Sequence, residues 1–127
     1  MFGQAEAVTV EMVRLALDAA SLRHQAIANN IANVNTAGYA PASVNFEQQM
    51  DVVRAALHQG DEVQPGMLAG IRPVIERSAP LADADRTALL DTEVAAMAQN
   101  TVQYEALLKA LGKHMSILGS AISEGKR

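Results

Sequence analysis

The 127-residue chain has no cysteine and no tryptophan, and its only aromatic residues are Phe2, Tyr39, Phe46 and Tyr104. Without thiols there is neither a disulfide framework nor a cysteine metal site, and the redox compartment stays open. With so few large rings, the 50% hydrophobic content is mostly Ala, Leu, Val, Ile and Met, a mixture that favours closely packed helices. The net charge is −4 and the ten basic residues are scattered, so there is no electrostatic footprint for nucleic acid or anionic lipid. No apolar run approaches the roughly 20 residues of a membrane span. The N-terminus, Met1-Phe2-Gly3-Gln4-Ala5-Glu6, lacks a basic n-region and an uninterrupted apolar h-region. The expectation is a cytoplasmic chain, or one exported without a cleaved signal peptide. At this length one domain fits better than two.

Chemistry-bearing constellations are scarce as well. His24, His58 and His114 are far apart in sequence and are not expected to form a metal-ligand pair, which suits surface or seam histidines. Asp83-Ala84-Asp85 resembles the start of a calcium loop, but Ala88 replaces the turn glycine and Val94 the bidentate glutamate, so the site is rejected. No nucleophile elbow or phosphate-cradling glycine loop occurs. An enzyme is not expected, nor a cofactor or a metal.

What is present is a dense polar turn between two long helical patterns. In residues 29–41, NNIANVNTAGYAP, four asparagines (Asn29, Asn30, Asn33, Asn35) fall within seven positions. Such side chains compete with the backbone for hydrogen bonds and favour helix ends. Gly38 tolerates a positive φ, and Pro41 disfavours helix at Ala40. Asn33 or Asn35 is therefore expected to close a helix, with Tyr39 offering a ring to pack and a phenol to hydrogen-bond.

The first helical pattern runs over residues 6–33. Val8, Met12, Leu15, Ala19, Leu22 and Ala26 alternate steps of four and three, the seam of a helix that packs on another, and Ile27, Ile31 and Val34 continue it one position over. Glu11, Arg14, Asp18, Arg23 and Gln25 occupy the opposite face. After the turn, Asn45 is placed to cap a short helix carrying Phe46, Met50, Val53 and Leu57, with Gly60 ending it. Residues 60–80 are broken by Gly60, Pro65, Gly66, Gly70, Pro73 and Pro80, and only 71–77, IRPVIER, looks extended, with Pro73 confining it to an edge. A connection this long is functional or mobile until bound.

The last segment carries a heptad seam: Val94, Met97, Thr101, Tyr104, Leu108, Leu111, Met115, Leu118 and Ile122 recur at alternating steps of three and four. Asp91 is the expected N-cap, with Glu93 in the first turn and Gly125, Lys126 and Arg127 suiting the other end. Such a helix measures roughly 45–50 Å at about 1.5 Å per residue. Thr101, with Asn100 and Gln103 nearby, puts polar groups at the seam, and Ala95, Ala96, Ala98, Ala106 and Ala110 make thin faces that other helices can approach closely.

The expected fold is mainly α: long N- and C-terminal helices packed as an antiparallel coiled-coil pair, separated by a short middle helix and an irregular loop or small β segment. Residues 1–34, 35–90 and 91–127 are its three parts, within one domain.

The motif N-N-I-A-N-V-N-T-A-G-Y at residues 29–39 resembles the flagellar axial proteins. So do L-D-T-E at 90–93, A-Q-N-T-V-Q-Y-E-A-L-L at 98–108 and A-I-S-E-G at 121–125. The short chain without a large inserted domain, F-E-Q-Q-M after the turn and the Asn100…Tyr104 pattern are similar to the basal-body rod members of that superfamily. Ala40 stands where those proteins often have a basic residue.

The resemblance implies a structural protein exported through the flagellar type III apparatus without a cleaved signal. It would assemble helically in the periplasm into the proximal rod, with its terminal helices forming the inner coiled-coil layer around the export channel and the rod transmitting torque. Implied partners are copies of itself, the rod proteins FlgC, FlgF and FlgG, the adaptor FliE and the export gate, with no nucleic acid and no membrane span of its own. Asn29, Asn30, Ile31, Asn33, Asn35, Thr36, Gly38 and Tyr39 are the motif residues implied in assembly. Val94, Met97, Tyr104, Leu108, Leu111, Met115, Leu118 and Ile122 form the expected seam with Met12, Leu15 and Leu22. The competing class is a stand-alone helical export adaptor or chaperone, which uses the same amphipathic helices.

Overall fold

In the computed structural model, which describes residues 3–125, two long helices flank a small αβ middle region in sequence, and that region packs on the first of them. The order is α1 (Gln4–Ala32), β1 (Ala42–Asn45), α2 (Asp51–His58), α3 (Pro65–Leu68), β2 (Val74–Arg77), a 3-10 turn (Asp83–Asp85) and α4 (Arg86–Gly125). Met1, Phe2, Lys126 and Arg127 lie outside the described residues, and with them the expected basic complement to the end of α4.

The core forms where the middle region folds back on α1. Val8, Leu15, Ala19 and Ala26 of α1 are buried together with Ala42, Val44, Phe46, Val53, Ala56, Val63, Leu68 and Ile71, and Met12, Leu22 and Met50 pack against them. Val53 is the most deeply buried, at 0% exposure. β1 and β2 pair antiparallel, with Val44 opposite Ile75 and Ala42 opposite Arg77. Ala42 and Val44 of β1 point into the core while every residue of β2 is exposed.

Three local expectations change. Asn45 does not cap α2: it is the last residue of β1, where strand pairing claims it, and its Nδ2 donates to Glu76 Oε1 across the sheet at 2.9 Å. The chain then turns through residues 46–50, which Arg23 holds to α1 by an ion pair to Glu47 at 2.8 Å, and α2 starts only at Asp51. Its end is as expected, because Gly60 takes φ +76° while its N–H reaches Leu57 O and the Asp61 N–H reaches Ala56 O, a double closure that needs the left-handed residue.

The segment 60–80 is anchored. Val63, Leu68 and Ile71 are buried, α3 adds a helical turn with Pro65 at its start, and Gln49 exchanges two hydrogen bonds with the Arg72 backbone at 2.6 and 3.0 Å.

Asp91 is likewise not the N-cap of the last helix. α4 begins at Arg86, directly after the 3-10 turn, because Arg-Thr-Ala-Leu-Leu contains no helix breaker and Pro80 lies further upstream. Asp83 and Asp85 thus supply the negative charge at the helix start, and Arg86 pairs with Asp83 at 2.8 Å. At 40 residues α4 is about 60 Å long, longer than expected.

Candidate functional site

α1 stops at Asn33, whose side-chain Nδ2 and backbone N–H both donate to Asn29 O, at 2.9 and 3.0 Å. Thr36 then donates its hydroxyl to Asn33 Oδ1, and a tight turn closes with the Tyr39 N–H on Thr36 O. Gly38 is the third residue of that turn, at φ +74°.

The turn is tied to the rest of the molecule through Asn30. This residue is 1% exposed, and its amide uses its full hydrogen-bonding capacity. Oδ1 accepts from Tyr39 Oη at 2.6 Å and from the Ala42 N–H at 2.8 Å; Nδ2 donates to Ala42 O at 2.8 Å and to Glu93 Oε2 at 3.0 Å. One side chain therefore joins the end of α1, the turn, the start of β1 and α4. A buried amide is tolerated only when satisfied in this way. Arg77 of β2 completes the joint: its guanidinium lies 5.8 Å from the Tyr39 ring centroid and donates to Ala40 O at 3.0 Å. A cation thus reaches the turn beside Ala40 from another strand.

Of the motif residues, Asn30 is buried, Ile31, Asn33 and Tyr39 are half-buried, and Asn29, Asn35, Thr36 and Gly38 are exposed; Asn29, Thr36 and Gly38 border a shallow concavity that Arg77 also lines. The sequence assigns Glu93 only a place in the first turn of the last helix and Arg77 only a place in an extended segment. Glu93 lies two turns into α4 rather than in its first turn, and what it meets is set by the way the helices pack.

The second feature is the surface of α4. The stripe turned toward the body includes Leu90, Glu93, Met97, Asn100, Leu107, Leu111, His114 and Leu118, of which Asn100 is buried and the others half-buried. Met97, Leu111 and Leu118 belong to the expected seam. Val94, Thr101, Tyr104, Leu108, Met115 and Ile122 of that seam are exposed, with Val102 and Ile117 beside them. The seam is thus rotated by one residue: the row 93, 100, 107, 114 faces inward, and the row 94, 101, 108, 115, 122 does not. Apolar content favours the second row, but Glu93 and Asn100 meet polar groups of α1, Asn30 and the Ala20 carbonyl, the latter at 2.8 Å from Asn100 Nδ2. A row of five heptad positions, apolar but for Thr101, is left uncovered on one face of α4.

Among the described residues no cluster of three metal-ligating side chains occurs, and no helix is long and apolar enough to cross a membrane. On the exposed face of α1, hydrogen bonds from Arg14 hold the Glu11 carboxyl below its ordinary value.

Residues 14–39 match the family model described as Flagella basal body rod protein. The match spans the last two thirds of α1 and the turn as far as Tyr39, about a fifth of the chain, and includes Asn30 but not its partners Ala42 and Glu93. It supports a structural, motility-related role in the flagellar basal-body rod family. No curated protein matches the chain.

Proposed function

We propose that this chain is a structural subunit of the proximal rod of the bacterial flagellum, of the FlgB type. The observation that carries the proposal is a conjunction within one molecule: the rod-family match ends on a rigid polar joint, and the partner helix leaves an apolar heptad row exposed that a single copy does not bury. Such a row is stable in water only when another helix covers it.

On this reading α1 and α4 form one antiparallel coiled-coil pair within a single domain. The pairing of Asn30 with Glu93 and of Ala20 with Asn100 supports it, since α1 is followed backward as α4 is followed forward. The subunit leaves the cytoplasm through the flagellar type III apparatus without a cleaved signal and assembles with copies of itself in the periplasm. The export gate and FliE lie on one side, and FlgC, FlgF and FlgG follow on the other. Its work is mechanical: enclosing the export channel and transmitting torque, with no catalytic step.

The test is a deletion strain complemented with a tagged chain. Loss of swimming in the deletion, and the tag in the rod of purified basal bodies, is the expected result. A tag confined to the cytoplasm would instead favour an export adaptor or chaperone, and a tag further along the rod would favour a FlgC-like member.

A further inference from the structure

Between α1 and α4 lies a groove whose floor is Ala20 and Asn100 and whose walls include His24, Tyr104, Glu105 and Leu108. Asn100 is 4% exposed. Its Nδ2 is committed to Ala20 O, which fixes the amide's orientation, while its Oδ1 is buried and meets no donor among the described residues. A buried carbonyl oxygen without a donor is costly, and in helix seams a polar residue of this kind sets register by demanding a matching polar group.

The charges of α4 indicate what matches the groove. Following Arg86 at the start of the helix, Asp91, Glu93 and Glu105 lie in its first half; Lys109 and Lys113, four residues apart on one face, follow in the second, with Glu124 at its end. Among the described residues Glu105, Lys109 and Lys113 form no ion pair. The groove therefore presents an acidic wall and an orphaned acceptor beside the apolar side chain of Leu108. The second half of α4 presents ammonium groups beside exposed Met115, Ile117 and Ile122.

We infer that this groove receives the second half of α4, residues 109–122, from another copy of the chain. A lysine of that segment donates to Glu105, the accessible carboxylate of the groove wall. Its apolar residues cover Leu108. The contact joins two different surfaces, so it does not close on itself and propagates from copy to copy. This inference rests on the rod reading and specifies which surfaces meet within it.

The absence of cysteine makes the test direct. Glu105→Cys protein is mixed with Lys113→Cys or Lys109→Cys protein and oxidised briefly, with Arg54→Cys on α2 as the control partner. The mixed disulfide with a lysine-position variant is expected to form roughly tenfold faster than with the control, because an oriented contact raises effective concentration. In parallel, Glu105→Lys should abolish self-association and Glu105→Lys with Lys113→Glu should restore it. Equal cross-linking rates, or charge reversal without effect, would overturn the contact. A chain found in the rod of basal bodies but without the cross-link leaves the rod reading intact and removes this inference; a cross-link in a chain absent from basal bodies does the reverse.

Discussion

Asn30 Nδ2 donates to Glu93 Oε2 at 3.0 Å, linking residues 63 apart in sequence, while its Oδ1 takes the Tyr39 hydroxyl at 2.6 Å. Removing that amide leaves the Ala42 N–H and C=O and the Tyr39 hydroxyl to find new partners in a site with little water. Asn30→Ala is therefore expected to cost about 2–4 kcal/mol, the range for stranding buried polar groups, read from urea unfolding. Asn30→Asp keeps both acceptors but loses both donors and sets a second carboxylate against Glu93. Its penalty should shrink as the pH is lowered and one of the two is protonated.

Gly38 separates backbone from packing effects. A Cβ built there meets nothing within 4 Å, so the cost of a side chain comes from φ +74° alone. Gly38→Ala should destabilise by about 1 kcal/mol and Gly38→Val by about 1–2, while Gly38→Asn should be nearly neutral, since Asn visits this region most readily. If the turn sets the angle between inner and outer parts of the subunit, Gly38→Val reduces incorporation into basal bodies more than secretion into the medium. Normal incorporation would reduce the turn to a helix stop.

The same residues show what could be read in advance. Existence and type of the long helices followed from periodicity, and the end of α1 from the asparagines and Gly38, because helix stops are local chemistry. The start of α4 was misplaced because Asp91 looks like a cap, whereas a helix runs back until a breaker stops it. Asn45 was misread because strand pairing with β2 is a tertiary decision that outweighs capping propensity. The internal face of α4 was misjudged by one residue for a related reason. Glu93 and Asn100 are polar, and only the positions of Asn30 and the Ala20 carbonyl explain why they face inward.

On the exposed face of α1, Arg14 bonds to Glu11 at 2.6 and 3.0 Å and to Asp18 at 3.0 Å. The hydrogen bonds from Arg14 lower the Glu11 pKa, so the pair adds stability above the unfolded-state value and loses it as pH falls through the folded one. Both side chains are substantially exposed, so solvent screening keeps the contribution small. Side-chain carboxyl NMR should place the Glu11 titration below the ordinary glutamate range, returning to it in Arg14→Ala. A midpoint unchanged by that substitution would show that the pair is not formed in solution.

Leu108 and Leu111 distinguish assembly from folding. Leu108 is 45% exposed, whereas Leu111 is half-buried on the inward stripe. Leu108→Asp should leave the unfolding midpoint of the dilute chain nearly unchanged while abolishing rod incorporation and swimming. Leu111→Asp should also abolish incorporation but lower stability by about 1–3 kcal/mol, since it sets a carboxylate against α1. Normal swimming in the Leu108→Asp strain would remove the assembly role of the exposed row.

Amide exchange tests how much of α4 one copy can hold. Ala19, Ala20, Ala26, Ile27 and Val53 are buried and belong to the region with most to lose on opening, so their amides should exchange slowest. Between residues 107 and 122 only Leu107, Leu111, His114 and Leu118 gain even partial cover, and a helix without a covered face is marginal in water. In a dilute monomer that segment should exchange orders of magnitude faster than the centre of α1, and it should slow as concentration rises and neighbouring copies cover Leu108, Met115 and Ile122. Slow exchange there at high dilution would mean that the single chain already stabilises the whole helix, and the uncovered row would lose its physical reason to recruit another copy.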